Sequence, residues 1–190
     1  MKIGLYFGSF NPIHVGHLII ANHILNSSEL KKIWFVVSPQ NPFKSESRLL
    51  DEYSRLHLVR LAIEDDNRMK ASDIEFHLPK PSFTINTLTY LEEKYPKQEF
   101  TIIMGSDSFQ NIHKWKNYET IVKNYPIYIY KRPGFEIENT IKAKTHTVEA
   151  PLLQISATEI RKLIRERKSV RYMVPEKVLE EINRGNYYRK

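Results

Sequence analysis

The chain has 190 residues, 41% hydrophobic and 27% charged, a length and balance that predict one globular domain with a sizeable core. It contains no cysteine, which excludes disulfides, thiolate metal sites and cysteine nucleophiles and is compatible with a reducing cytoplasm. A formal net charge of +7 leaves three readings open: a nucleic-acid binder, an enzyme whose cleft attracts highly anionic small substrates, and a surface that is merely basic.

The first apolar run, Ile3 to Phe7, reads as a buried strand. It is too short for a signal peptide, and no stretch of the chain reaches the roughly 18 apolar residues of a membrane span. Gly8, Asn11 and Pro12 break it, and an apolar-rich stretch from Gly16 and His17 to Leu25 reads as a helix. Ile33 to Val37 is a second strand, so the first three elements form a β–α–β unit with parallel strands. Ser38 to Arg48, with two prolines and no periodicity, is a loop at the carboxyl end of a strand, where ligands bind in open α/β sheets. Asp51 to Asp65 reads as helix, Met69 to Phe76 as a short strand region stopped by Pro79 and Pro81, and Ser82 to Tyr95 as helix. Phe100 to Met104 is a strand ending in Gly105, followed by a turn in which Ser106 or Asp107 is placed to cap a helix. Tyr118 to Asn124 reads as a short helix and Ile127 to Tyr130 as a strand. Residues 135–147 read as irregular, with a small strand near Thr145 to Val148. Ser156 and Glu159 form a capping-box pattern for the next helix, Pro175 and Gly185 suit the start and end of the last one, and the tail from Asn186 to Lys190 is expected to fray. Strands alternating with helices predict a parallel sheet covered on both faces.

Three places carry candidate chemistry. At the first strand–turn–helix junction, backbone N–H groups and the positive end of a helix dipole face an anion, and Gly8 lets the backbone come close to a ligand. His14 and His17 are three residues apart and share one helix face, an arrangement that suits a polyphosphate. A zinc site needs further ligands that neither cysteine nor an H-E-x-x-H pattern supplies here. Ile155 to Arg161 is a second helix start, with the Ser156 and Thr158 hydroxyls and an arginine one turn in, able to hold phosphates through N–H groups and a guanidinium fork. Lys44, on the 38–48 loop, is a candidate cation, although a loop lysine is as readily just solvated.

Gly8-Ser9-Phe10-Asn11-Pro12-x-His14-x-Gly16-His17 resembles the signature of the H-x-G-H nucleotidyltransferase superfamily. Ile155-Ser156-Ala157-Thr158-Glu159-Ile160-Arg161 is similar to its I-S-S-T-x-I-R motif, with Ala157 replacing a serine. The middle of the chain narrows the resemblance. Ser38 to Lys44 resembles the loop ending P-H-K of nicotinate-mononucleotide adenylyltransferases, with Phe43 in place of histidine. Pro81 to Leu88 resembles their P-S-Y-T-x-D-T-L, with Phe83 and Asn86 substituted. Ile103 to Ser108 with Trp115, and Arg132-Pro133-Gly134, follow in the family's order.

That resemblance implies a Rossmann-like, doubly wound parallel sheet of nucleotidyltransferase type, with helices in 156–185 completing the nucleotide site. It implies AMP transfer from ATP, with Mg²⁺, to nicotinate mononucleotide in NAD biosynthesis. His14, His17, Arg161 and Lys44 are the implied catalytic residues. Gly8, Ser9, Phe10, Gly105, Asp107, Ile155, Ser156 and Thr158 join the two histidines and Arg161 around ATP. Ser9, Lys44, Phe83, Thr84, Trp115 and Arg132 are assigned to the mononucleotide. No side chain is assigned as a metal ligand, and neither a nucleic acid nor a membrane is an expected partner. A homo-oligomer is compatible with all of this. Another acceptor, nicotinamide mononucleotide or phosphopantetheine, is the alternative chemistry, and a basic nucleic-acid-binding protein the alternative class.

Overall fold

The computed structural model describes residues 1–40, 49–132, 134–135, 137, 141, 143–151 and 154–189. Its strands are β1 (Lys2–Gly8), β2 (Lys32–Val37), β3 (Met69–Ser72), β4 (Glu99–Gly105), β5 (Ile127–Tyr130) and β6 (Thr145–Val148). They form one parallel sheet in the order β3-β2-β1-β4-β5-β6. Helices α1 (Val15–Ser27), α2 (Glu52–Ile63), α3 (Thr84–Lys94), α4 (Ser106–Gln110), α5 (Tyr118–Asn124), α6 (Ala157–Arg165) and α7 (Glu176–Arg184) cover both faces. No helix among the described residues is long and apolar enough to cross a membrane.

The strands read as continuous apolar runs because both faces are buried. Alternation along β2 divides them: Ile33, Phe35 and Val37 enter one core, Trp34 and Val36 the other. The first core collects α1, α2, α6 and α7 through Ile24, Val59, Ile160 and Val178. The second collects α3, α4 and α5 through Leu88, Phe109 and Ile121. The order of strands reverses between β1 and β4. Their pairing stops at Tyr6 opposite Ile103, whereas β1 stays paired with β2 to Gly8 opposite Val37. The carboxyl ends of β1 and β4 therefore part, and a crevice opens at the switch point.

Several boundaries differ from expectation. The strand expected over 69–76 ends at Ser72, because its partner β2 ends one residue past the Val36–Ser72 pair; Ile74–His77 instead forms a 3₁₀ turn. Helix α3 begins at Thr84, not Ser82, because the Ser82 hydroxyl is committed to Glu75 Oε2 at 2.8 Å. Gly105, not Ser106 or Asp107, holds the N-cap of α4; Ser106 Oγ accepts the Arg132 N–H at 2.9 Å. The tail does not fray through Tyr188. Tyr187 N–H donates to Ile182 O at 3.0 Å, and both tyrosine rings pack on the first core.

One buried cation ties the crevice together. Asp51 caps α2 by accepting the Ser54 N–H at 2.9 Å, and the next turn carries Arg55, only 1% exposed. Arg55 Nε donates to Leu50 O at 2.8 Å, Nη1 to Ser9 O at 2.6 Å and Ser38 O at 2.8 Å, and Nη2 to Pro39 O at 3.0 Å. The turns that follow β1 and β2 are thus pinned to α2. Asn11 Oδ1 adds a further tie by accepting the Leu50 N–H at 3.2 Å.

Arg55→Met is expected to leave these four carbonyls without their buried donor and to cost about 3 kcal/mol, or roughly 10 °C in Tm. Thermal denaturation of the variant beside the parent measures it; a shift under about 2 °C contradicts the assignment.

Candidate active site

A cavity of about 910 Å³ occupies the crevice, and its walls come from the carboxyl ends of β1, β2, β4 and β5 and the starts of α1, α3, α4 and α6. Every described site residue of the sequence reading lines it: Gly8, Ser9, Phe10, His14, His17, Phe83, Thr84, Gly105, Asp107, Trp115, Arg132, Ile155, Ser156, Thr158 and Arg161. Lys44 lies outside the described residues, as do Asn41, Pro42 and Phe43 of the same motif.

The first flank is built on α1. His14 is its N-cap, and the imidazoles of His14 and His17 stack with centroids 3.7 Å apart. His14 N–H donates to His17 Nδ1 at 3.3 Å. Phe10 sits in the left-handed region at φ 43°, a conformation that costs a bulky residue on the order of 1–3 kcal/mol. Edge-on packing against Tyr6, His17 and Phe35 holds its ring in place. A Cβ on Gly8 would come within 2.9 Å of that ring, so the room a glycine leaves there is taken by Phe10. The helix start also offers fewer donors than the sequence implies, because the Val15 N–H is taken by Met173 O at 3.0 Å.

Arg161 reaches the same flank from α6 and donates through Nη1 to Asn11 O at 2.7 Å. Ser156 caps α6 as the sequence predicts, accepting the Glu159 N–H at 3.1 Å. The Ala157 and Thr158 N–H groups, in the first turn, have no acceptor within the helix. Asp107 and Arg132 close this flank, with Arg132 Nε 3.3 Å from Asp107 Oδ1. A Cβ on Gly105 would lie 2.5 Å from Asp107 Oδ1 and 2.8 Å from Arg132 Nε, which is why the strand ends in glycine here. An adjoining hollow of about 330 Å³ continues from this flank between Gly16, Ile20, Gln154 and Ile155.

The second flank belongs to α3. Phe83 is the N-cap and makes no side-chain cap, so the Thr84 and Ile85 N–H groups, in the first turn, have no acceptor within the helix; Phe83 and Thr84 line the cavity. Trp115 and Phe83 both pack against the second core and supply flat apolar wall. Behind them Glu75, 2% exposed, accepts from Ser82 Oγ at 2.8 Å and Thr87 Oγ1 at 2.9 Å. Sequence reasoning missed Glu75 and Arg55, since a lone acid or base among ordinary helix and turn residues gives no local signal of burial. It also missed Lys116, whose only cue is its place beside Trp115.

Electrostatics favour an anion over a cation. Burial first, and the positive charge of Arg132 second, hold the His14 imidazole down to about 4. His14 Nδ1 is buried and finds no hydrogen-bond partner among the described residues. The Asp107 Oδ1 is likewise buried and accepts no hydrogen bond among them. No group of three or more His, Cys, Asp or Glu side chains among the described residues is arranged to hold a metal ion.

Residues 5–163 match the family model described as cytidylyltransferase-like. A protein of Flavobacterium psychrophilum named probable nicotinate-nucleotide adenylyltransferase is 51% identical over 193 residues, covering 100% of both chains. Its Flavobacterium johnsoniae counterpart of the same name is 52% identical at the same coverage. Among solved structures, the Plasmodium falciparum nicotinic acid mononucleotide adenylyltransferase complexed with NaAD superposes with a TM-score of 0.84 at 24% identity, over 98% of this chain and 97% of that one. At that identity the likeness is one of fold.

The His14 shift sets an acid limb of stability. Its folded value, about 4, lies below the ordinary 6.5, so the unfolded chain takes up the proton first. The contribution is complete above pH 6.5 and is lost as pH falls toward 4, about 3 kcal/mol in all. His14→Asn is expected to lose about 2 kcal/mol less than the parent between pH 7 and pH 4.5 in urea unfolding. Parallel pH profiles contradict the buried neutral imidazole.

Proposed function

The chain belongs to the nicotinate-nucleotide adenylyltransferase family, within the cytidylyltransferase-like group, and from that premise we propose how its residues transfer AMP from ATP to nicotinate mononucleotide. The products are deamido-NAD and pyrophosphate, and the reaction is a step of NAD biosynthesis. The observation that carries the proposal is the division of one cavity into a flank of imidazoles, arginines and helix starts and a flank of flat apolar wall beside an uncapped helix start.

The acceptor's 5′-phosphate is already an anionic nucleophile at neutral pH, so no general base is needed. The barrier lies in bringing two anions into line at the α-phosphorus, and positioning with charge neutralisation supplies the catalysis. His14 and His17, with Ser9 and the Phe10 N–H, hold the ATP phosphates and stabilise charge on the transferred one. Arg161, Ser156 and the Thr158 N–H hold the leaving pyrophosphate at the α6 start. The adjoining hollow beside Ile155 takes the adenosine. Gly105 and Asp107 close the nucleotide side. Arg132, expected from the sequence at the mononucleotide, is placed instead beside Asp107 because its Nε lies 3.3 Å from that carboxylate, and Lys44 is assigned to the phosphates from its sequence position. Trp115 and Phe83 face the pyridine ring, and the Thr84 and Ile85 N–H groups take its carboxylate.

We assign Mg²⁺ to the ATP phosphates. The Asp107 Oδ1, which accepts no hydrogen bond among the described residues and faces Arg132 Nε at 3.3 Å, would give at most a single outer carboxylate contact, and the described residues hold no carboxylate cage. When bound, the ion neutralises phosphate charge; in-line placement of the two substrates falls to the side chains named above.

Pyrophosphate release with ATP, Mg²⁺ and, in parallel, nicotinate mononucleotide, nicotinamide mononucleotide and phosphopantetheine tests the reading; the first is expected to be strongly preferred. Activity confined to phosphopantetheine refutes it. His17→Ala is expected to fold and to lose at least about a hundredfold in kcat, the size of one preorganised charge-stabilising donor; near-normal turnover removes His17 from the site. Trp115→Ala is expected to raise the KM for the mononucleotide while leaving that for ATP unchanged, and steady-state kinetics with each substrate varied separates the two.

A further inference from the structure

Besides the histidines, three basic side chains line the cavity among the described residues: Lys116, Arg132 and Arg161. Arg132 faces Asp107, and Arg161 donates to the Asn11 carbonyl, so both stand on the phosphate flank. Lys116 stands on the other. It follows Trp115 in sequence, and its Nζ lies 4.8 Å from the centre of the Phe83 ring. No carboxylate pairs with it among the described residues. The acid of this flank, Glu75, is buried with its oxygens engaged by the Ser82 and Thr87 hydroxyls.

We infer that Lys116 is a specificity residue, whose ammonium, held over the Phe83 ring, selects an acceptor with an anionic ring substituent over one with a neutral amide. The inference rests on the assignment of the pyridine ring to the Phe83–Trp115 wall. A cation–π contact positions the ammonium without neutralising it. The N–H groups at the α3 start bond a carboxylate oxygen and an amide oxygen alike. They set orientation, but discriminate charge only weakly. Lys116 is exposed, but its full positive charge at the cavity wall, held over the Phe83 ring, adds the missing discrimination. It forms a charge-assisted hydrogen bond with a carboxylate, while an amide would meet it with its own N–H₂ or with a single neutral oxygen. Phe83 serves this arrangement through its ring face, to which a hydroxyl adds nothing.

The test is steady-state kinetics of the parent, Lys116→Met and Lys116→Arg with nicotinate mononucleotide and nicotinamide mononucleotide. Lys116→Met is expected to raise the KM for the acid about tenfold, the size of one lost charge-assisted contact, with the KM for ATP and for the amide held. The acid-to-amide ratio of kcat/KM then falls about tenfold, and Lys116→Arg keeps it within about threefold of the parent. Where turnover of the amide is too slow to measure, its Kd by calorimetry replaces KM. An unchanged ratio in Lys116→Met overturns the inference, and so does an equal loss for both acceptors, which is the mark of a merely structural role. A parent inactive on nicotinate mononucleotide overturns the acceptor assignment itself and this inference with it; that arm is read before any variant is compared.

Discussion

The site depends on a guanidinium that never meets solvent. Among the described residues Arg55 forms no salt bridge, with Asp51 and Glu52 acting on it only through the field; its N–H groups are satisfied by backbone carbonyls from Ser9, Ser38, Pro39 and Leu50. These belong to segments far apart in sequence, and a parallel sheet by itself would leave its strand-end turns untethered. The peptide bond is planar and trans, so drawing the Ser9 C=O toward Arg55 turns the Phe10 N–H the opposite way. Pulling on the Pro39 carbonyl does the same for Gln40. One buried cation thus fixes which face of each turn carries its donors. The strained backbone at Phe10 is tolerable because the ring packing and the Arg55 clamp over-determine it.

Around that frame the charge is distributed by burial. His14 is kept neutral by its surroundings and by Arg132, and two stacked imidazoles at 3.7 Å could not both be charged without mutual repulsion. A polyphosphate changes the balance by supplying negative charge to the same space. The cavity is therefore rich in donors and restrained in net cationic charge, a setting in which preorganised groups meet developing phosphate charge with little rearrangement. The second flank differs, with the flat apolar walls of Phe83 and Trp115, a helix start without a side-chain cap and one lysine, the groups that the proposed reading gives to a ring and its substituent.

Most of this was legible in the chain itself. The apolar runs at 3–7, 33–37, 100–104 and 127–130 became β1, β2, β4 and β5, and the glycines and histidines of 8–17 stand at the strand–helix junction they implied. The capping pattern at Ser156 is realised in α6. What stayed hidden is non-local. Arg55 reads as one more helix cation, and only the convergence of two turns upon it makes it a clamp. Glu75 lies in a run that looked like strand, and the end of β2 turned it inward. The Val15 N–H is consumed by Met173, more than 150 residues on, and the Tyr-Tyr tail docks on a core that no local pattern announces. Periodicity records which face of an element is apolar; it does not record which distant carbonyl needs a donor.

The central claim is that substrates are placed for a single direct displacement at the α-phosphorus, with no side chain taking the adenylyl group. The measurement that reaches it most directly is stereochemical: ATP made chiral at the α-phosphorus by one sulfur, turned over with nicotinate mononucleotide, and the configuration of the dinucleotide product read by phosphorus NMR. One in-line transfer inverts that centre, and inversion is the predicted result. Retention would mean two successive displacements through an adenylylated residue, and would contradict the account.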